Sequence, residues 1–498
     1  MILLELIMHV TLSYRKAFYV AVSLLWLVMM GMLIQRNHGT FQLSNRVSDP
    51  DLHGSFNPSD ISGEQWMGVY YKGEKIGYLS RKISPDPKGY AMDEVFSIKM
   101  IVMGSEKKVE TLLSANLDNN LKLLSFTAKI KADLDIDISG NVQGKDLFLT
   151  IGSAGVKSAK EIHLTKEPTL EGPAVTAMLK GLKPGDHISV PVFDPTLMGV
   201  EDLELKIAAK EDIMSLGRMQ ETYKVTGDLK GIGFSIWITD KGEVLREESP
   251  MGFLLVKETK EDALKTVHPS LDLISQAAVP LRMKLPRNIS YLKIRITGID
   301  FKGLELDGGR QRLKGNVLEI DREVLGPKMR TRETEIKDQA YAEYLGDTVF
   351  IQSKDPQVVS LAREIIKNEK DPLIAARLIY DWVYKNIEKT PAITVPMATD
   401  VLRTRKGDCN EHATLFTALA RSAGIPAKIA AGLTYKDGFF YYHAWSEIFA
   451  GQWIALDPTL GQFPADASHI RLITGDLDRQ VQVLPVINNI HIEGLEYR

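Results

Sequence analysis

The chain has 498 residues, enough for about three domains, and a net charge of −3 with 25% charged residues. This balance argues against nucleic acid as the main partner. A single cysteine excludes an intrachain disulfide and a zinc site built from several thiolates. The ten histidines are scattered, and we find no P-loop, dinucleotide fingerprint or metal-ligand cluster, so we predict no cofactor and no metal.

The first element is an uncharged apolar run over 17–34, close to the length that spans a bilayer. Arg15 and Lys16 precede it, which by the positive-inside rule keeps the N-terminus cytoplasmic. The run ends without the small residues of a cleavage site, which favours an uncleaved signal anchor over a cleaved signal peptide. We therefore predict membrane anchoring by a single N-terminal helix within residues 1–36, with the bulk of the chain periplasmic or at the cell surface.

A polar linker over 37–62 leads to strand patterns throughout 63–256, which predict a large antiparallel β domain. Within it, every even position from Leu124 to Ile138 is apolar and every odd position is polar. This alternation predicts one long strand with an apolar face. A second sheet, a helix over 167–182, or a ligand such as an acyl chain, a glycan or an extended peptide would have to cover that face.

Residues 257–345 predict a connector, with a helix over 261–278 and a small β unit over 289–321. Two helices should then open the last domain, 346–498. They begin at Pro356 and Pro372, each preceded by an aspartate, which is the favoured arrangement at a helix start.

The only cysteine, Cys409, follows Asp408, and Glu411 lies three residues after that aspartate, as in a capping box. The pattern predicts a buried helix over 408–423 that ends before Gly424. Cys409 then occupies the first helical position, where the helix dipole favours a thiolate and unpaired N–H groups could bind an oxyanion. A cysteine that only fills space would be expected in the middle of the helix, so we interpret Cys409 as a nucleophile.

Two alternating segments, 441–449 and 452–456, predict a hairpin with a three-residue loop at 449–451. In that register Ile448 pairs with Gln452, and His443 lies opposite Asp457. The carboxylate could then orient the imidazole as a base for the thiol. His412, close to one helical turn from Cys409, is the alternative base, but no carboxylate is expected opposite it.

These residues resemble the core of the transglutaminase-like superfamily, over about 350–475. The resemblance rests on GDCNEHATLFTALARSAGIPAKIAAGL and on YYHAWSEIFAGQWIALDPT. It implies a papain-like triad with Cys409 as nucleophile, His443 as base and Asp457 as orienting acid. The superfamily contains cross-linkers, proteases, amidases and inactive members, so the resemblance does not fix the reaction.

The predicted fold class is α+β: an N-terminal transmembrane helix, a large antiparallel β domain and a C-terminal papain-like core. The predicted function is that of a membrane-anchored thiol enzyme acting on amide bonds of a protein or peptide, with hydrolysis favoured over cross-linking. The alternative is a non-catalytic binding or scaffold protein whose β domain carries an apolar ligand, a glycan or a peptide.

Overall fold

The computed structural model describes residues 62–102, 105–132, 135–153, 156–164, 166–170, 183–194, 199–229, 232–249, 252–271, 277–326, 339–390, 396–480 and 483–498. Strands make up 51% of them and helices 17%. The predicted α+β class is therefore wrong, and the observed structure is mostly β. The reason is that the helices concentrate around the Cys409 segment, while nearly every other described element is a strand.

In the described part of the chain, no helix combines the length and the apolar character needed to cross a membrane. The predicted anchor over 17–34 lies outside the described residues, as does the predicted linker up to residue 61. The described residues divide into two compact units, one extending to Asp272 and the other from Leu273 to Arg498.

The first unit is one antiparallel sheet. Its strands are β1 Gly63–Tyr71, β2 Glu74–Asp86, β3 Gly89–Val102, β4 Ser105–Leu117, β5 Leu123–Lys131, β6 Ile136–Gln143, β7 Asp146–Ser153, β8 Val156–His163, β9 His187–Asp194, β10 Gly199–Ser215, β11 Arg218–Leu229, β12 Ile232–Ile238, β13 Val244–Glu248 and β14 Phe253–Lys257. They are ordered β8-β7-β6-β5-β4-β3-β2-β1-β14-β13-β12-β11-β10-β9. Sequential hairpins account for every pairing except β1 with β14, which joins the two ends of the run.

The predicted long strand from Leu124 to Ile138 is two strands. β5 and β6 pair antiparallel, with Ile130 opposite Ile136. Directly opposed residues on paired strands face the same side of a sheet, and here even-numbered residues oppose even-numbered residues. The alternation of apolar and polar residues therefore continues unbroken across the hairpin. The sequence pattern therefore could not distinguish one long strand from two paired ones.

The protein itself covers part of the apolar face of these strands. Phe126, Ile130 and Ile136 are buried, and the ring of Phe126 packs against Phe193 of β9 with centroids 5.3 Å apart. Since β9 is an edge strand of the sheet, the sheet must curl for these rings to meet. Most of the helix predicted over 167–182 lies outside the described residues.

The connector helix predicted over 261–278 is much shorter: α1 spans Lys260–Ala263. Pro269 follows soon after, and a proline disfavours helical continuation through its missing N–H and its ring.

The second unit contains a cluster of helices and two main sheets. The helices are α2 Pro356–Ile366, α3 Pro372–Asn386, α4 Ala398–Thr404, α5 Cys409–Ser422, α6 Leu477–Gln480 and α7 Leu484–Asn489, with a 3-10 helix at Gln339–Leu345. The strands are β15 Val279–Pro280, β16 Tyr291–Thr297, β17 Gln311–Lys314, β18 Val317–Asp321, β19 Glu388–Lys389, β20 Lys406–Gly407, β21 Ala427–Lys436, β22 Phe439–Phe449, β23 Trp453–Leu456, β24 Ile470–Thr474 and β25 His491–Tyr497.

One sheet of this unit has the order β15-β22-β21-β24, with β23 paired to β22. The other has the order β17-β18-β16-β25, so the C-terminal strand completes the β unit predicted over 289–321. The predicted starts of α2 and α3 are confirmed. Asp355 accepts hydrogen bonds from the first turn of α2, and Asp371 does the same for α3, each with proline at the first helical position.

Candidate active site

Cys409 is the first residue of α5, and the predicted capping box is present. The side chain of Asp408 accepts from the N–H groups of Asn410 and Glu411, with 3.0 Å to Asn410 N. In return, the Asp408 N–H donates to Glu411 Oε2 at 2.9 Å. Cys409 is fully buried together with nearly all of α5. The cap therefore fixes the position of the thiol at the start of a central helix.

The cap also restricts the chemistry of the helix start. The N–H groups of Asn410 and Glu411 already donate to Asp408, so these two groups do not serve an oxyanion. Gly407 has a local packing role as well, because a Cβ there would lie 2.2 Å from Glu411 Cβ. Glycine at position 407 therefore leaves room for the Glu411 side chain.

Two hydroxyl groups hold α5 against β22. Ser446 Oγ donates to the carbonyl of Ala413 at 3.2 Å, and Thr417 Oγ1 lies 3.2 Å from Ser446 Oγ. Tyr442 of the same strand interacts electrostatically with Cys409. Burial, together with the charges of Cys409 and Asp408, raises the pKa of Tyr442 well above its usual value. The strand that carries His443 is therefore packed on the helix that begins with Cys409.

His443 is fully buried on β22 and contacts Asp457. Its Nε2 lies 2.6 Å from Asp457 Oδ2. A carboxylate only accepts, so this nitrogen carries the proton and donates it. The other ring nitrogen, Nδ1, is buried and has no hydrogen-bond partner among the described residues. His443 therefore has one ring nitrogen held by Asp457 and a second, Nδ1, that accepts from and donates to none of the described residues.

The pairing predicted for His443 and Asp457 is corrected by the register of the hairpin. Ser446 pairs with Leu456, and one further step along the ladder would place Asp457 opposite Trp445. The loop lies at 450–452, with Gly451 at its tip in the left-handed region (φ 88°). The predicted register differs from the observed one by two residues, so His443 and Asp457 still lie on the same face of the sheet. Asp457 therefore reaches His443 diagonally, a contact that neighbouring positions on one face allow.

A tight turn fixes the carboxylate of Asp457. Its Oδ1 accepts from the N–H groups of Thr459 and Leu460 at 2.7 and 2.8 Å, while its backbone pairs with Gln462. Gly461 permits this turn, since its φ of 76° lies in the left-handed region and a Cβ would lie 2.8 Å from the Tyr384 ring. The orientation of Asp457 is thus set by backbone donors rather than by His443 alone.

His412, the alternative base, makes a different contact. Its Nδ1 lies 2.6 Å from the carbonyl oxygen of Asp408, which can only accept, so Nδ1 donates. Burial lowers the pKa of His412 to about 4. His412 is therefore neutral at pH 7, and Asp457 forms its hydrogen bonds with other histidines, which favours His443 as the base.

Sequence reasoning missed one histidine of the site. His469 is fully buried, with Nε2 3.0 Å from Asp457 Oδ2 and Nδ1 3.3 Å from Asp466 Oδ1. The only signal in the sequence is a polar group, Asp466 with Ser468 and His469, inside an apolar segment that leads into β24. Such a group is easily taken for a loop.

The charges of these groups are coupled. Burial alone would raise the pKa of Asp457, but the charge and hydrogen bonds of His443 and His469 lower it well below its usual range. Burial alone would lower the pKa of His469, but the hydrogen bonds to Asp457 and Asp466 raise it to about 9. At neutral pH the carboxylate is therefore ionised and His469 is protonated.

His443, Asp457 and His469 place three potential metal-ligand atoms within 4.8 Å of one another. Both histidine nitrogens, however, contact the same carboxylate oxygen at 2.6 and 3.0 Å. A tetrahedral metal with bonds of about 2.0 Å would separate its ligand atoms by about 3.3 Å. The distances are those of a hydrogen-bonded network.

Comparison with known proteins shows what the segment that carries the site is similar to. Residues 359–458 match the family model described as the transglutaminase-like superfamily. An uncharacterized protein of Haemophilus influenzae is 34% identical over 122 residues, which cover 23% of this chain and 33% of that protein. Human kyphoscoliosis peptidase is 29% identical over 118 residues, which cover 20% of this chain and 18% of that protein.

A crystal structure from Cytophaga hutchinsonii, provisionally described as a cysteine protease, aligns with 18% identity and a TM-score of 0.30. The alignment covers 42% of this chain and 86% of that one. The chain spans a third or less of the length of the two curated relatives. The resemblance predicted from the sequence is confirmed by the family match, which supports an enzyme of this class and leaves its reaction open.

Proposed function

We propose that the chain is a thiol enzyme acting on amide bonds of proteins or peptides through an acyl-thioester on Cys409, because residues 359–458 match the family model of the transglutaminase-like superfamily. The observation that carries this proposal is the hydrogen-bonding of His443. Asp457 holds its Nε2 at 2.6 Å, whereas Nδ1 is buried without a hydrogen-bond partner among the described residues. A histidine held in this way is oriented to act as a base.

The proposed reaction begins with transfer of the Cys409 thiol proton to His443 Nδ1, which gives a thiolate and an imidazolium. The thiolate attacks the amide carbonyl carbon, and His443 then donates its proton to the departing amine nitrogen as the C–N bond breaks. The products of this half-reaction are a free amine and a thioester on Cys409. The ionised Asp457 stabilises the imidazolium throughout.

The second half-reaction decides the class of enzyme. In hydrolysis, His443 removes a proton from water, the oxygen attacks the thioester carbonyl, and the Cys409 sulfur leaves to give a carboxylic acid. In cross-linking, an amine takes the place of water and an amide forms. We favour hydrolysis because water is the default acceptor.

The test combines both outcomes in one experiment. The full chain is incubated with a defined peptide mixture in ¹⁸O-labelled water that contains dansylcadaverine, and the products are analysed by mass spectrometry. Hydrolysis incorporates ¹⁸O into new carboxyl groups, whereas cross-linking attaches the dansyl amine. Cys409→Ala is the matched control, because it removes the only thiol of the chain. Products that persist in Cys409→Ala would overturn the proposal, and the absence of both labelled products from the wild-type reaction would favour the non-catalytic scaffold.

A further inference from the structure

His469 lies beside the proposed catalytic residues with no role in the proposed reaction. Its ring is fully buried, and Asp457 Oδ2 accepts from both His443 and His469, at 2.6 and 3.0 Å. The centroids of the two imidazole rings are 5.8 Å apart. One carboxylate oxygen therefore serves two histidines.

The second nitrogen of His469 fixes its protonation state. Nδ1 lies 3.3 Å from Asp466 Oδ1, an oxygen that also accepts from the N–H and the hydroxyl of Ser468 at 2.9 and 2.6 Å. The other oxygen, Oδ2, accepts from Asn288 N and Gln462 Nε2, both at 3.2 Å, so donors occupy both oxygens and Asp466 is an ionised carboxylate. With carboxylates at both nitrogens, His469 must donate from both, which only the imidazolium can do.

We propose that His469 is a positioning residue: its imidazolium holds Asp457 in place and, through its positive charge, sets the pH at which His443 releases the proton taken from Cys409. This inference rests on the proposed function. Its physical basis is competition. When Asp457 stabilises a second cation at the same oxygen, it stabilises the His443 imidazolium less than an undivided carboxylate would.

The environment of His469 keeps this interaction strong. Its ring packs edge-on against Trp445 with centroids 5.2 Å apart, which excludes water from that side. Arg310 donates to the backbone carbonyl of Asp466 at 2.6 Å, and its own charge lies beside Glu323, with 3.6 Å between Nη1 and Oε2. Arg310 therefore supports the Asp466 segment while its charge is largely offset by Glu323.

Two further titratable groups, Tyr380 and His412, interact electrostatically with the charge of Asp457. Burial raises the pKa of Tyr380, and Asp457 raises it further, so Tyr380 stays neutral. Burial holds the pKa of His412 down at about 4, so it is neutral as well. His469 is thus the cation that competes with the His443 imidazolium for stabilisation by the negative charge of Asp457.

The test uses the pH dependence of alkylation of Cys409 by iodoacetate, an anionic reagent that reacts best with a thiolate beside an imidazolium. The reaction needs no substrate, and the chain has no other cysteine, so the adduct is unambiguous. The rate should rise with pH as the ion pair forms and fall when His443 loses its proton. In His469→Gln the falling limb should move to higher pH by about one to two units, the size expected for removing a charge about 6 Å away at an effective dielectric of about 20.

The matched control is His412→Gln, which removes an equally buried but neutral imidazole and should leave the falling limb in place. A falling limb that does not move in folded His469→Gln, or that moves equally in His412→Gln, overturns the inference. Failure of the wild-type thiol to react at any pH would mean that iodoacetate does not reach the buried Cys409. In that case, NMR titration of the His443 ring decides the inference, which requires a higher midpoint in His469→Gln than in the wild type.

Discussion

Arg471 Nη1 lies 3.2 Å from Glu447 Oε1, in a buried ion pair that joins β24 to β22 across the intervening strand β21. Arg471 also donates to the backbone carbonyls of Glu305 and Gly308, and Lys428 approaches Glu447 to 3.4 Å. His443 precedes Glu447 on β22, and His469 immediately precedes β24. The pair therefore fixes the relative position of the two chain segments that carry the histidines bound to Asp457.

Replacement of Arg471 by methionine should destabilise the second unit by about 3–5 kcal/mol, because it leaves Glu447 buried with an incomplete set of partners. Urea unfolding of the full chain measures the effect. Arg295→Met is the control, since Arg295 pairs with Glu493 at the surface and such pairs contribute about 0–1 kcal/mol. Equal losses in the two variants would contradict the buried role of the pair.

Cys409→Ala should abolish turnover while changing the free energy of unfolding by about 1 kcal/mol or less. The thiol is at the helix start, and the capping hydrogen bonds come from Asp408 and Glu411, which the change leaves intact. Peptide turnover and urea unfolding are measured on the same preparation. Residual turnover in a destabilised protein would mean that Cys409 only fills space.

Asp457→Asn should lose most of kcat, because the amide can hold His443 in the wrong tautomer, as the same substitution does in other catalytic triads. It should also destabilise the fold, since His469 then keeps only Asp466 as a carboxylate partner. Steady-state kinetics at several pH values and thermal unfolding measure the two effects. Near-normal kcat would restrict Asp457 to a structural role in its turn.

Gly407→Ala should cost about 1–3 kcal/mol of stability, because the new Cβ would overlap Glu411 and disrupt the capping box. Gly326→Ala is the control, as a Cβ at Gly326 meets no heavy atom within 4 Å and its backbone is not in the left-handed region. Urea unfolding should leave Gly326→Ala within about 0.5 kcal/mol of the wild type. A stable Gly407→Ala would show that Glu411 can move aside.

The protonated state of His469 predicts a pH dependence of stability. Its pKa rises from 6.5 to about 9 on folding. The folded state therefore holds the proton more tightly, so the stabilisation is complete below about pH 6.5 and is lost as pH rises through 9. Between these limits the stability difference between the wild type and His469→Gln should shrink by about 3 kcal/mol. A difference that is constant from pH 6 to pH 10 would show that His469 is neutral in the folded protein.

The local elements around the nucleophile follow from residues that are close together in the sequence. Asp408 and Glu411 specify the start of α5 independently of tertiary packing, since a capping box forms between residues that are three positions apart. Asp355 with Pro356 and Asp371 with Pro372 specify two more helix starts in the same way. The face shared by His443 and Asp457 was also correct, because a register shift of two residues preserves side-chain direction.

The remaining features depend on packing, because they rest on contacts between residues that are distant along the chain or have no periodic signal. The same alternation fits one strand over 124–138 or the paired strands β5 and β6, and pairing alone distinguishes them. The predominance of β structure follows from how many such hairpins join one sheet. His469 reaches Asp457 only because the turn after Asp457 and the segment before β24 meet in the core, where hydrogen bonds to Asp457 and Asp466 keep the imidazole positively charged against the effect of burial.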